Sequence, residues 1–324
     1  MVKRVLVAGA ARYLGNALLS SLANDPEIEK IIGIDITAPD HDFGRAEFIR
    51  ADIRNPVTSR IIDDHGIDTV VHAGVLSTPL EHGGRSVMKE INVIGSMQLL
   101  AACKKSPTVK NVIIKSTTAI YGASSKDPAL FRESTQPGRL PTTGFAKDSN
   151  EVEGYVRNFA RQRSDVRVTT LRFANAIGPE MVTPLTTYFE LPIWPAVLGH
   201  DPRLQFIHED DLVRAMHHAV MTDQGGTFNV AGAGTITLSQ AARLAKRPLL
   251  RLPAQFFSPA SGTLRRLGVV DLSREQLSLL KYGRLVDTSR ARDLLGFTAE
   301  FSSRDTFQEF VAHRIAKRAG HRGK

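Results

Sequence analysis

Residues Val5-Leu6-Val7-Ala8-Gly9-Ala10-Ala11-Arg12-Tyr13-Leu14-Gly15 run from an apolar strand pattern through a glycine turn into a helix start. That order suits the holding of a pyrophosphate. Gly9 permits the tight turn, and Gly15 lets the helix pack closely on the sheet. The helix start aims unpaired N–H groups and the positive end of its dipole at an anion. Asp35 falls at the end of the second strand pattern, about 20 residues past the turn. A carboxylate there accepts both ribose hydroxyls and repels a 2′-phosphate. Together these features point to a dinucleotide, and to NAD over NADP. Asp52, in Ala51-Asp52-Ile53-Arg54, ends the third strand pattern, where an adenine would lie. It reads almost as well as an N-cap for the next helix. The histidines suggest no metal: His217 and His218 are neighbours on one helix pattern and face different ways, and no Cys/His/acid cluster has ligand spacing.

The elements that must carry these residues alternate. Val/Ile/Leu-rich runs at Arg4–Ala8, Ile31–Ile36, Glu47–Arg50, Thr69–Ala73, Asn111–Ser116 and Arg167–Arg172 read as strands buried on both faces. Helical patterns fall between them at Asn16–Ala23, Ser86–Lys105 and Lys147–Arg163. The spacing predicts βαβ units on a doubly wound, Rossmann-type parallel sheet, an α/β fold. Thr227–Val230 could add one more strand. After Gly178 the prolines 179, 184, 192, 195 and 202 argue against long helices. The expected division is a dinucleotide-binding domain over 1–178, with 203–232 returning to it. A smaller substrate lobe then occupies most of 179–312, and a basic tail 313–324.

The chain of 324 residues is 42 % hydrophobic and 23 % charged, an ordinary globular composition. No apolar run reaches the ~18–20 residues of a membrane span, and the N-terminus lacks a signal-peptide pattern. The single cysteine, Cys103, sits in an apolar helical stretch and reads as a buried core residue, which with the missing leader leads us to expect a cytoplasmic protein. The formal net charge is +9, and Arg314, Lys317, Arg318, Arg322 and Lys324 in the tail supply much of it. A solvated tail is the expectation and a nucleic-acid partner is not.

Further motifs sharpen the picture. The fourth strand ends His72-Ala73-Gly74. A helix carries Asn92-Val93-Ile94-Gly95. Lys115-Ser116-Thr117-Thr118-Ala119-Ile120-Tyr121-Gly122 follows the fifth strand, and Leu171-Arg172-Phe173-Ala174-Asn175-Ala176-Ile177-Gly178-Pro179 the sixth. Phe206-Ile207-His208-Glu209-Asp210-Asp211 and Asp287-Thr288-Ser289-Arg290 come later. In these motifs the chain, to about Phe297, resembles the extended short-chain dehydrogenases/reductases. Specifically it resembles the NAD-dependent epimerase/dehydratase family that includes UDP-glucose 4-epimerase, and within it an actinobacterial-type subgroup. The resemblance implies NAD along Gly9, Arg12, Tyr13, Leu14, Gly15, Asp35, Asp52, Ile53, His72, Ala73, Gly74, Asn92 and Lys147. It implies Thr117 as the hydroxyl that binds the reacting oxygen, and Asn175 with Thr117 as substrate contacts. It also implies a UDP- or dTDP-sugar substrate and a homodimer built on the helices 86–105 and 147–163.

Two positions depart from the family pattern. Arg12 stands where the middle glycine of the motif should be, and either reaches over the phosphates as an ion-pair partner, the favoured reading, or obstructs them and weakens NAD binding. Thr143 stands four residues before Lys147, where the resemblance calls for the tyrosine that exchanges a proton. A threonine hydroxyl titrates far above a phenol and reaches less far. Losing a general acid/base costs ~10²–10⁴ in rate, or about 3–5 kcal/mol of barrier. Tyr121 is a possible substitute; Tyr155 lies too far along its helix, and Phe145 is apolar. The expectation is an NAD-binding protein of this family acting on a nucleotide sugar or related small molecule. Two alternatives remain: a catalytically degenerate regulatory or scaffold protein, and a non-redox lyase or cyclase.

Overall fold

The computed structural model describes residues 2–39, 43–74, 84–136, 140–257 and 273–315. In chain order the elements begin β1 (Lys3–Ala8), α1 (Tyr13–Ala23), β2 (Ile28–Asp35), β3 (Glu47–Arg50), α2 (Val57–Asp64) and β4 (Thr69–His72). They continue with α3 (Gly84–Lys89), α4 (Ser96–Lys105), β5 (Asn111–Thr117), α5 (Gly144–Gln162), β6 (Arg167–Phe173) and β7 (Asn175–Ile177). Next come α6 (Pro184–Phe189), β8 (Trp194–Val197), β9 (Arg203–Leu204), β10 (Phe206–His208), α7 (Glu209–Met221) and β11 (Gly226–Val230).

Seven strands form one parallel sheet in the order β11-β6-β5-β4-β1-β2-β3. The order reverses between β1 and β4, which opens a crevice at the carboxyl ends of those strands. One face is covered by α1 and α7, through Leu14, Leu18, Leu19, Leu212 and Met216. The other is covered by α2, α4 and α5, through Ile61, Ile62, Leu99, Leu100, Val152 and Val156. Cys103 is fully buried in this second layer, where burial pushes its thiol up to about 12.

The helix expected over 86–105 runs without a break from Gly84 to Lys105, as α3, a π-turn over Glu90–Gly95, and α4. The last residue of the π-turn, Gly95, is tightly packed. A Cβ on Gly95 would stand 2.6 Å from Ile53 Cδ1, so the side chain after Asp52 presses directly on the backbone there. The lobe beyond β7 has its own core of rings, with Phe189 against Trp194 and Phe307 against Phe206. Of the basic tail, residues 316–324 lie outside the described residues. Arg314 belongs to the lobe and not to a solvated tail: it bonds Glu190 at 2.5 Å and the Met181 carbonyl at 2.9 Å.

Candidate functional site

The glycine turn is built as its sequence requires. Gly9 has φ +94°, and a Cβ on it would lie 2.5 Å from Gly74 Cα. A Cβ on Gly15 would meet the Gly9 carbonyl at 2.0 Å. Neither position can hold a side chain, because backbone and not a movable group blocks it. The turn is tied to β2: Gly9 and Ala10 N–H donate to the Ile34 carbonyl at 2.9 and 3.2 Å. The Asp35 carboxylate accepts from Ala11 N–H at 3.1 Å and Ile36 N–H at 2.7 Å. Arg12 is the N-cap of α1 in extended backbone, with no side-chain cap bond. It is exposed as a residue, but burial of its guanidinium end holds its pKa down, and the charge of Asp35 works in the opposite direction.

These features fit a dinucleotide. Bare glycine backbone and a helix start face the crevice, and a carboxylate closes β2 beside them. Asp52 is held by Arg54, with Arg54 Nη2 at 2.6 Å, and that hydrogen bond keeps the carboxyl below its usual range. It is therefore a fixed acceptor at the β3 end and not the cap of α2, whose N-cap is Pro56.

Thr117 ends β5 and caps the following 3₁₀ turn. Its Oγ1 accepts from Ala119 N–H at 3.1 Å, which leaves its own proton for another acceptor. The helix α5 packs against this strand end: Asn150 donates to the Ile120 carbonyl at 3.3 Å, and Ser116 to Glu153 at 2.6 Å. Thr143 is the exposed N-cap of α5, yet its side chain makes no cap bond. The expected cap partner, Ala146 N–H, donates instead to Glu275 at 3.1 Å. Gly144, at φ +74°, leaves room for that carboxylate, which would stand 2.3 Å from a Cβ. Burial raises the Glu275 pKa. Arg85 closes the same corner by binding Asp148 and, at 2.7 Å, the Gly144 carbonyl. Lys147 is half-exposed and lies 3.6 Å from Glu151. Asn175 is partly buried at the start of β7, paired with Phe206.

Two expectations need correction. Tyr121 does not offer its phenol to the crevice. It is 1 % exposed, stacked on Phe131 at 4.8 Å, donates to Asn229 at 2.8 Å and accepts from Arg172 at 2.8 Å. His72 is likewise turned away: its Nε2 meets Ser96 Oγ at 2.6 Å, and burial lowers its pKa to about 4. Strand alternation explains this, since His72 follows Val70 onto the α4 face while Ala73 faces α1. The buried Asn92 sits in the π-turn behind it.

Sequence reasoning missed Lys115, Glu275, Arg85 and Glu209. Glu209 accepts from Met181 N–H at 2.7 Å and Glu180 N–H at 3.0 Å, and it bonds the Tyr13 phenol. It fills the space beside Gly178, where a Cβ would lie 2.3 Å away. An acid in place of an apolar residue after His208 was the available signal. Among the described residues no group of three His, Cys, Asp or Glu could hold a metal. Nor is any helix among them long and apolar enough to cross a membrane.

A seven-stranded parallel sheet with a glycine turn at its switch point defines a Rossmann-type dinucleotide fold. The sequence model of the NAD dependent epimerase/dehydratase family matches residues 5–231, and the chain belongs to that family. An uncharacterized protein of Mycobacterium tuberculosis is 44 % identical over 317 residues, covering 96 % of this chain and 84 % of that protein. A UDP-glucose 4-epimerase of Azospirillum brasilense is 29 % identical over 64 % of this chain and 60 % of its own. The fold is shared with MoeE5 in complex with UDP-glucose and NAD, at TM-score 0.72 and 21 % identity over 98 % of this chain and 99 % of that one. It is also shared with the UDP-glucose 4-epimerase of Thermotoga maritima, at TM-score 0.69 and 20 % identity over the same shares.

Proposed function

We propose that the chain holds NAD at the glycine turn and acts on a nucleoside-diphosphate sugar bound between the crevice and the lobe. Gly9, Gly15 and the α1 start would hold the pyrophosphate, Asp35 the ribose, and Asp52 with Ile53 the adenine end. Bound NAD would supply a hydride acceptor and donor. Thr117 keeps a proton to donate to the reacting oxygen. Lys147 offers an ammonium for the nicotinamide ribose. Thr143 can orient an oxygen but cannot exchange its proton as a phenol would, so turnover on this reading is slow. The observation that carries the reading is the juncture of β5 and α5, which sets Thr117 and the α5 start at the same sheet edge as Gly9. The sugar nucleotide is supported by the UDP-glucose 4-epimerase relative.

We read residues 1–178 with 203–232 as the dinucleotide domain and 179–312 mainly as the substrate lobe. A cytoplasmic homodimer through the α3–α4 and α5 region completes the proposal. Thr143 itself favours a second reading, an NAD-holding protein that does no hydride chemistry. Mass spectrometry of the purified protein tests for NAD, and chromatography after incubation with UDP- and dTDP-sugars tests for turnover. Conversion by the native chain supports the first reading. Conversion only by Thr143→Tyr supports the second. No conversion by either, with NAD demonstrably bound, sinks the enzyme reading.

A further inference from the structure

Tyr13 stands where two parts of the crevice meet. It is the first residue of α1, directly after Arg12, so its backbone N–H is one of those that a helix start leaves without an intrahelical partner. Its phenol is hydrogen-bonded to the carboxylate of Glu209, the first residue of α7. Glu209 reaches on to the loop over 178–183. Its Oε2 accepts from Met181 N–H at 2.7 Å, and its Oε1 from Glu180 N–H at 3.0 Å. Gly178 is bare where the carboxylate passes, since a Cβ there would lie 2.3 Å from Glu209 Cδ. The strand β7, which opens with Asn175, runs straight into this loop. The loop is secured independently towards the lobe. Arg314 donates to the Met181 carbonyl at 2.9 Å, and Thr183 forms a capping box with Thr186 at the start of α6. Glu209 thus ties this loop to the dinucleotide helix.

An acid is a poor choice for filling space alone. Burial raises the Glu209 pKa, and the two backbone N–H groups and the Tyr13 phenol work against that rise. An apolar side chain would fill the same space without desolvating a charge. We propose that Glu209 is a positioning residue that passes occupancy of the dinucleotide site on to the substrate loop. A ligand gripped by the α1 start fixes Tyr13, Tyr13 fixes the Glu209 carboxylate, and Glu209 fixes the loop over 178–183 that follows Asn175. The inference rests on the NAD reading above. Such coupling is reciprocal, so a sugar nucleotide held by the loop strengthens the grip on the dinucleotide by the same factor.

Hydrogen exchange read by mass spectrometry tests the link, on the wild type, Tyr13→Phe and Glu209→Val, each free and saturated with NAD or with ADP-ribose. In the wild type both ligands should slow exchange by about fivefold or more in the peptide over 8–16, at the glycine turn, and in that over 174–186, across the loop. Tyr13→Phe should keep the first effect and lose the second, to within about twofold. Glu209→Val should lose the second as well. Its loop should also exchange faster with no ligand, because the N–H groups of Glu180 and Met181 have lost their acceptor. Loop slowing as large in Tyr13→Phe as in the wild type overturns the proposal. So does a wild-type loop that stays unchanged although NAD binds. Slowing of the loop by NAD but not by ADP-ribose also overturns it, because the nicotinamide would then touch the loop directly. Should Tyr13→Phe fail to fold, loop slowing that persists in Glu209→Val overturns the link. A wild type in which neither peptide responds and calorimetry finds no NAD binding sinks the NAD reading itself, and the link with it.

Discussion

One buried ion pair ties α5 to β6, and Glu153→Gln should expose its weight. Arg172 gives Glu153 two hydrogen bonds, Nε at 2.9 Å and Nη2 at 2.6 Å, and Ser116 adds a third at 2.6 Å. Glu153 is 3 % exposed and Arg172 9 %. Neutralising the acid leaves the guanidinium buried with the Tyr121 hydroxyl and the Glu133 carbonyl as acceptors. Stranding one partner of such a pair costs about 3–5 kcal/mol, a large share of the 5–15 kcal/mol typical of a folded chain. At about 2 °C per kcal/mol for a chain of this size, the melting temperature should fall by roughly 6–10 °C. The double variant Glu153→Gln/Arg172→Met should recover part of the loss, because no charge is then stranded. A calorimetric double-mutant cycle reads this directly. If the two single losses add to within about 0.5 kcal/mol, the pair is not a coupled anchor and the reasoning fails.

Three other outcomes follow from the geometry. Gly9→Ala puts a methyl against Gly74 backbone at a φ of +94°, so stability should drop by about 1–3 kcal/mol in denaturant titration, with NAD affinity falling too. His72 is held neutral by burial with a pKa of about 4, against an ordinary value of 6.5. Its contribution is complete above pH 6.5 and is lost as pH falls towards 4, a decline of about 3 kcal/mol that His72→Gln should remove from a urea-unfolding series. The Cys103 thiol, buried and pushed up to about 12, should resist a thiol reagent in the native protein and react once it is denatured.

What was legible in the sequence was local. The glycine turn follows from backbone sterics within a few residues, and the strands follow from runs of Val and Ile that only a doubly covered sheet can bury. What was not legible came from far along the chain. Ala146 and its carboxylate partner Glu275 are 129 residues apart, and no local pattern joins them. Tyr121 reads as part of the site because it follows Thr117 closely, yet the 3₁₀ turn after β5 carries its hydroxyl to Asn229, 108 residues away. Lys115 was read only as the first residue of the motif that ends in Tyr121-Gly122. Only the register with β4 and β1 shows it on the crevice floor.

The charges of the crevice are unevenly shared, and that bears on what it does best. Glu275 occupies the N–H that a capping threonine would take, so Thr143 makes no cap bond while the positive end of α5 is offset by a carboxylate. At the glycine turn the balance is different: Arg12 adds its charge beside the positive end of α1, with the charge of Asp35 acting on it. On the proposed function, attraction for an anion is therefore concentrated at the glycine turn, where the dinucleotide would be held, and reduced at the α5 start, where a proton would move. A protein so arranged should hold its cofactor firmly and turn over slowly, and Thr143→Tyr should raise turnover without changing the affinity for NAD. If that variant tightens NAD instead and leaves turnover where it was, the two ends of the crevice are not separable in this way.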